Sequence, residues 1–356
     1  MYIKNNDNNL KWQYIMKFCW KGLVVKMKND LYICYTQFHL LIAIIKCLKS
    51  ENRANLIISS DNFNDSLISE KNIIDNLKFE NIFEDIITYD PSKEQLKLKK
   101  KKFYYLSKYL YIQKEIRNCN IDFKKYDNIY IFNDVLLLGR CINYKKIRYH
   151  LIEDGTDCFK NNKVMIKGKS RIRAFVKNVI LGLYDMGESK NIIDIEVNDM
   201  SNMFIKKQNI IEKSKKQMFC ELTKDDKEII KRIFLKDNDL EKYDSFSLII
   251  TQPLYEDNFL KSEIEKVRIY KSIIEEYCKG EKYVIKTHPR EKTDYSKFFK
   301  NVINYNFPLE IINFIDDLQF NKVITISSTS INIINNCNEK IFLGWEWLNE
   351  QKKDKK

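Results

Sequence analysis

Short apolar runs, each followed by a longer stretch with apolar positions at three- and four-residue steps, recur along the chain. The runs predict strands at 31–35, 55–59, 86–89, 128–132 and 147–152, and again at 246–251, 283–287 and 322–326. Helices are expected near 38–48, 62–77, 260–278 and 310–314. The stretch 260–278 illustrates the pattern: Leu260, Ile264, Val267, Tyr270, Ile274 and Tyr277 form one stripe, while Lys261, Glu265, Lys266, Arg268, Glu275 and Glu276 fill other faces. Strands alternating with helices predict an α/β fold whose parallel sheets are covered on both faces. The segment 185–225 is polar, contains Gly187 and shows no strand pattern, so it reads as the connection between halves. The expected organisation is an arm at 1–26, a Rossmann-like domain at 27–184, a linker region at 185–225 and a second Rossmann-like domain at 226–356, with a cleft between the domains.

Composition narrows the class. The 356 residues carry 44% hydrophobic positions, enough for two cores, and only 8 Gly and 4 Pro, which excludes collagenous and disordered chains. Nine Cys without a CxxC pair, and three His without HExxH, argue against a zinc site; the absence of a signal peptide points to a reducing cytoplasm. No apolar run is long enough to span a bilayer. Lys and Arg number 62 against 49 Asp and Glu, a net charge of +13. Lys97 and Lys99 to Lys102, followed by Phe103, Tyr104 and Tyr105, read as a solvated helix face or as a contact for an anionic membrane surface. The arm, with Trp12, Phe18 and Trp20 among lysines, reads as a simple extension or a second such contact. Nucleic acid is not expected as a partner, because no helix-turn-helix, RNP or zinc-finger pattern accompanies the charge.

Candidate chemistry sits where polar residues follow strands, since ligands of open α/β sheets lie beyond the carboxyl ends of the strands. After the first strand come Tyr35, Thr36, Gln37 and His39; Thr36 suits a helix N-cap and His39 a core histidine. Glu153-Asp154-Gly155-Thr156 is either a turn or a carboxylate aimed into a cleft, where desolvation would raise its pKa and make it a usable base. Thr251-Gln252-Pro253 is followed by Glu256 and Asp257, which would reach the cleft or cap the next helix. In Lys286-Thr287-His288-Pro289-Arg290, a His beside an Arg suits a phosphate. Ser327-Ser328-Thr329-Ser330 offers four hydroxyls at an expected helix N-terminus, more than a cap needs.

Taken in this order, Ile33-Cys34-Tyr35-Thr36, Glu153-Asp154-Gly155-Thr156, Thr251-Gln252-Pro253, His288-Pro289-Arg290, Pro308-Leu309-Glu310 and Ser327-Ser328 resemble the bacterial lipooligosaccharide sialyltransferases of glycosyltransferase family 52. The resemblance implies a GT-B-like fold of two Rossmann-like domains, CMP-sialic acid as donor, inversion at the anomeric carbon, and no cofactor or divalent metal. It assigns His288 to the CMP phosphate as general acid or oxyanion stabiliser, beside Pro289 and Arg290. Glu310 would hold the ribose hydroxyls, and Ser327, Ser328 and Thr329, with Gln252 nearby, the rest of the donor. Tyr35, Thr36, Gln37, Glu153 and Gly155 would fall on the acceptor side. The base is Asp154, Glu256 or Asp257, because Leu254 stands after Pro253 where a relative has an acid. The DxD sequence Asp237-Asn238-Asp239 lies in a charged loop and is expected to bind no metal.

The implied reaction is α-2,3 transfer to a terminal galactose of a lipooligosaccharide or capsular glycan by a cytoplasmic enzyme, peripheral on the inner membrane and a homodimer. Two alternatives accompany it: transfer of another sugar, such as glucose from UDP-glucose, and a non-enzymatic protein binding membrane surfaces or nucleic acid.

Overall fold

The structure, a computed structural model, describes residues 27–60, 71–91, 104–155, 159, 185–201, 203, 209–235, 239–304 and 306–353. The arm at 1–26, the lysines at 97–102, Thr156, and Asp237 and Asn238 of the DxD sequence lie outside them.

The first half runs β1 (Asn29–Cys34), α1 (Gln37–Leu48), β2 (Arg53–Ser59), α2 (Lys71–Glu80), β3 (Asp85–Tyr89), α3 (Tyr104–Asn118), β4 (Asn128–Ile131), α4 (Leu137–Tyr144), β5 (Tyr149–Ile152), β6 (Ile192–Val197) and β7 (Ile210–Glu212). Two helices follow, α5 (Lys215–Cys220) and α6 (Lys224–Phe234). The second half holds β8 (Ser247–Ile250), α7 (Glu263–Tyr277), β9 (Tyr283–Lys286), β10 (Val302–Ile303), β11 (Phe320–Thr325), β12 (Cys337–Phe342) and α8 (Gly344–Lys353). The sheet orders are β3-β2-β1-β4-β5-β6-β7 and β10-β9-β8-β11-β12. All pairings among the described strands are parallel.

Both sheets therefore carry the Rossmann strand order, in which the chain reverses direction across the sheet beside the first strand: between β1 and β4, and between β8 and β11. This is the expected α/β architecture with two parallel sheets. Central strands are buried on both faces, as Leu31 to Cys34 and Leu248 to Ile250 show, which is why they read as continuous apolar runs.

The reading of 185–225 as a strandless linker is corrected: this segment supplies β6 and β7, which extend the first sheet. Asp194 and Glu196 interrupt the apolar run of β6 and hid it. Their carboxylates are tolerated because His150 lies 2.9 Å from Asp194, while Lys46 of α1 and Lys213 lie 2.6 and 3.1 Å from Glu196. The short β10 and the largely exposed β12 are edge strands and likewise lack a continuous apolar signal. Residues Leu309–Phe314 and Thr329–Asn332 form 3₁₀ turns rather than α-helices.

Helix α6 joins the two halves. Thr223 and Asp226 cap it reciprocally, and Ile230, Ile233 and Phe234 are buried in an apolar cluster that also contains Leu40 of α1 and Phe314 of the second half. Arg232 grips Glu80 of α2 through two bonds of 2.6 and 2.9 Å, and Lys49 reaches Asp226 at 2.8 Å. Among the described residues, no helix is long and apolar enough to cross a membrane.

Candidate active site

A cavity of about 800 Å³ is lined from both sheets. The first sheet contributes Thr36, Gln37 and His39 after β1, and Asp154 and Gly155 after β5. The second contributes Lys286, His288 and Pro289 around the end of β9, then Phe307, Glu310, Ser328 and Thr329. Lys215 and Lys216 of α5 and Lys227 of α6 complete the wall. With Lys286 these make four lysines against the two carboxyls of Asp154 and Glu310, so the lining favours anionic ligands.

At the first-sheet pole, Thr36 caps α1 by accepting the His39 backbone N–H at 3.2 Å, which sets His39 in the first turn facing β5. The Tyr35 backbone N–H donates to Nδ1 of His39 at 3.2 Å, placing the ring hydrogen on Nε2, and Nε2 donates to Oδ1 of Asp154 at 2.6 Å. Asn133, just after β4, donates to Oδ2 of Asp154 at 2.8 Å. The His39 ring is stacked on Phe132 with centroids 4.3 Å apart and is 2% exposed, while the Asp154 side chain keeps 29% exposure toward the cavity. Burial alone pushes the Asp154 carboxyl up, but the hydrogen bonds from His39 and Asn133 outweigh it and hold the carboxyl below the usual Asp range. The expectation of a raised pKa is thereby reversed: Asp154 is a firmly ionised carboxylate with a fixed orientation.

Gly155, at φ +88°, turns the chain away directly after Asp154 in a conformation that L side chains rarely adopt. Tyr35 and Glu153 do not line the cavity. Tyr35 is buried edge-on against His39, and Glu153 is buried with Oε2 accepting the Asn198 N–H at 2.7 Å.

At the second-sheet pole, the Arg290 backbone N–H donates to Nδ1 of His288 at 3.1 Å, which leaves the ring hydrogen on Nε2. Burial, with the charges of Arg290 and Lys286, lowers the pKa of His288 to about 4. The ring is therefore a neutral hydrogen-bond donor at neutral pH. Lys286 is buried, donates to the Thr287 carbonyl at 2.9 Å and lies over the Phe307 ring at 4.9 Å. Burial pushes the Glu310 carboxyl up to about 7.

Below His288 lies a second carboxylate. The Glu291 side chain, 1% exposed, accepts the His288 backbone N–H at 2.9 Å, the Tyr295 hydroxyl at 2.7 Å and the Thr251 hydroxyl, and faces the Lys266 ammonium at 3.2 Å. Lys266, assigned by pattern to a polar face of α7, is fully buried by this pairing, whereas Ile264 is 63% exposed.

Several expected donor or base residues lie outside the cavity lining. Arg290 forms two bonds of 2.8 and 2.9 Å with Asp257, so neither group is directed at a ligand. Glu256 is held by Lys266 at 2.9 and 3.0 Å and by the Lys292 N–H at 2.9 Å; burial pushes its carboxyl up, and these donors hold it below the usual range. Asp257 is also not the cap of α7, a place Ser262 takes. Both the N–H and the hydroxyl of Ser327 donate to Oε1 of Gln252 at 2.9 Å, closing that pair on itself. Ser328 and Thr329 reach the cavity, but on a single 3₁₀ turn rather than at a helix N-terminus.

Pattern reading missed His39, Asn133, Lys286 and Glu291. A readable signal existed for His39: it stands three residues after the N-cap that follows a buried strand, where a first-turn side chain meets the ends of neighbouring strands. Lys286 ends a strand, the position from which His288 and Asp154 were nominated.

The profile of glycosyltransferase family 52 matches residues 62–343 of this chain. An uncharacterized protein of Haemophilus influenzae is 33% identical over 193 residues, which is 52% of this chain and 59% of that protein. Among solved structures, the UDP-GlcNAc 2-epimerase from Neisseria meningitidis bound to UDP-GlcNAc is similar, at 12% identity and a TM-score of 0.48, over 85% of this chain and 79% of that one. So is the Methanocaldococcus jannaschii UDP-GlcNAc 2-epimerase in complex with UDP-GlcNAc and UDP, at 14% identity and a TM-score of 0.48, over 92% of each chain.

Proposed function

The chain belongs to glycosyltransferase family 52, and from that premise we propose that it is an inverting, metal-independent sialyltransferase using CMP-sialic acid. Its acceptor is a terminal galactose of a lipooligosaccharide or capsular glycan, joined through an α-2,3 linkage. The enzyme works in the cytoplasm at the inner face of the membrane where such glycans are assembled. The observation that carries this reading is that Asp154 and His288 line one cavity from opposite sheets, one an ionised acceptor and the other a neutral donor.

In the proposed reaction, the acceptor hydroxyl oxygen forms a bond to the anomeric carbon as the bond from that carbon to the CMP oxygen breaks. The hydroxyl proton passes to Asp154, and the electron pair of the broken bond stays on the phosphate. The departing phosphate gains a full negative charge, which Nε2–H of His288, the Ser328 hydroxyl and the Lys286 ammonium are suited to stabilise. A neutral His288 serves here as oxyanion stabiliser rather than as proton donor. Glu310 is the acceptor for the ribose hydroxyls. Asp154 is preferred as base over Glu256 and Asp257 because those two are committed to Lys266 and Arg290.

The test is release of CMP from CMP-sialic acid with lactose as acceptor and EDTA present. Turnover under these conditions supports the reading. Turnover of UDP-glucose in its place, or of no galactoside at all, defeats it.

A further inference from the structure

Helices α5 and α6 bring to the cavity wall two lysines that the proposed reaction does not use. Lys216, Phe219 and Cys220 all line the cavity and stand at i, i+3 and i+4 of α5, so they share the face of that helix turned toward it. Lys227 of α6 lines the same wall, since only Glu221 to Thr223 separate the two helices. Among the described residues, neither lysine side chain meets a carboxylate. The nearby acids Glu221, Asp226 and Glu228 instead face Gln217, Lys49 and Lys231. Lys216 and Cys220 are exposed and Lys227 is half-buried, whereas Lys286 and Glu310 are buried, so this wall forms the rim of the cavity. Arg232 and Asp226 fasten α6 to Glu80 and Lys49 of the first half, the half that carries Asp154.

We propose that Lys216 and Lys227 bind an anionic group, a phosphate or a carboxylate, carried by the acceptor glycan beyond its terminal galactose. The proposal rests on the sialyltransferase reading above. A CMP-sialic acid donor carries its phosphate and carboxylate within a few bonds of the bond that breaks, in the enclosed part of the cavity. The acceptor presents one hydroxyl to Asp154, and the remainder of its chain must leave over the rim. An ammonium at the rim keeps its hydration until an anion arrives, so it favours charged acceptors without a desolvation cost in their absence. Lys216 and Lys227 thus select among acceptors, a task separate from holding the leaving phosphate.

The experiment measures kcat and KM of wild type and of the double variant Lys216→Met with Lys227→Met for lactose, lactobionate and lactose 1-phosphate, which all end in the same galactose. The preference for an anionic acceptor is taken as a ratio to lactose within each protein, so a general change in activity cancels, and urea denaturation reports folding. Each exposed ion pair corresponds to up to about fivefold in affinity. Wild type should therefore favour at least one anionic acceptor by about five- to twentyfold, mostly in KM, and the double variant should bring the ratio close to one. Lactobionate identifies a carboxylate and lactose 1-phosphate a phosphate. In about 0.5 M NaCl the wild-type preference should shrink, because screening weakens exposed pairs. Equal use of all three acceptors by wild type overturns the proposal, as does a preference that the double variant keeps. An equal loss of affinity for CMP-sialic acid, measured without acceptor, would assign the lysines to the donor and also overturn it. If wild type uses lactose without any anionic preference, the sialyltransferase reading stands; if CMP-sialic acid is turned over with no galactoside, both fall.

Discussion

Nε2 of His39 donates a 2.6 Å hydrogen bond to Oδ1 of Asp154, and the backbone of Tyr35 fixes the ring in the tautomer that makes this donation. The bond stabilises the ionised carboxylate against the burial that opposes it. His39→Phe keeps the stack on Phe132 but removes the donor. The Asp154 carboxyl then rises, and the acidic limb of the kcat/KM profile moves to higher pH. Asp154→Asn should cost about a thousandfold in kcat, the range expected for a general base, with CMP affinity kept. A limb that stays in place in His39→Phe, measured from pH 4 to 8, would remove His39 from the mechanism.

His288 gives a different signature. Its ring is held neutral in the folded protein, with a pKa near 4 against an ordinary 6.5. The unfolded chain therefore takes up a proton at higher pH than the folded one. The contribution to stability is complete above about 6.5 and is lost as the pH falls toward about 4. His288→Gln should lose less stability than wild type over that window, as urea denaturation at pH 7, 5.5 and 4 will read. It should also lower kcat about a hundredfold, the loss typical of one oxyanion donor. Identical pH dependence in the two proteins would show that the imidazole is not buried neutral.

Glu310 has the opposite sign. Its folded pKa of about 7 exceeds the ordinary 4.5, so the unfolded chain ionises first as pH rises. The carboxyl costs nothing below about 4.5, and its full penalty, up to roughly 3 kcal/mol, is present above about 7. Glu310→Gln should raise Tm at pH 8 and leave it unchanged at pH 4.5. Ribose hydroxyls bind the ionised form, so the wild-type KM for the donor should fall as pH rises through 7, a trend absent from Glu310→Gln. A flat wild-type KM across that range would exclude Glu310 from ribose binding.

The fold was legible where apolar runs are continuous, as at Leu31 to Cys34 and Leu248 to Ile250, because a strand buried on both faces must be apolar throughout. It was not legible at β6, where Asp194 and Glu196 find their partners, His150 for the first and Lys46 and Lys213 for the second, elsewhere in the chain. The site divides in the same way. Asp154, His288, Glu310 and Ser328 reach the cavity because strand-end position alone directs them there. Whether Arg290, Asp257, Glu256 and Ser327 are available depends on side-chain partners remote in sequence, and these partners consume all four. His39 was read as a core residue and is buried, but its second nitrogen meets Asp154, 115 positions away.

The two carboxylates near His288 make the sharpest contrast. Asp257 faces Arg290 with both side chains about one-third exposed, and such surface pairs contribute little. Asp257→Asn should therefore cost less than about 1 kcal/mol in urea denaturation and leave kcat/KM within about twofold. Glu291 is enclosed with the Lys266 ammonium and holds the His288 backbone. Glu291→Gln leaves that ammonium only the Glu256 carboxylate, 2.9 and 3.0 Å away, and should destabilise by about 1–3 kcal/mol. Adding Lys266→Met takes from the Glu256 carboxylate its two bonds to the ammonium, so the double variant should not regain wild-type stability. Activity per folded molecule should stay within a few-fold of wild type in Glu291→Gln, because the Gln oxygen can still accept the His288 N–H and the side chain touches no substrate. A hundredfold loss in Asp257→Asn would instead transfer the role of base from Asp154 to Asp257.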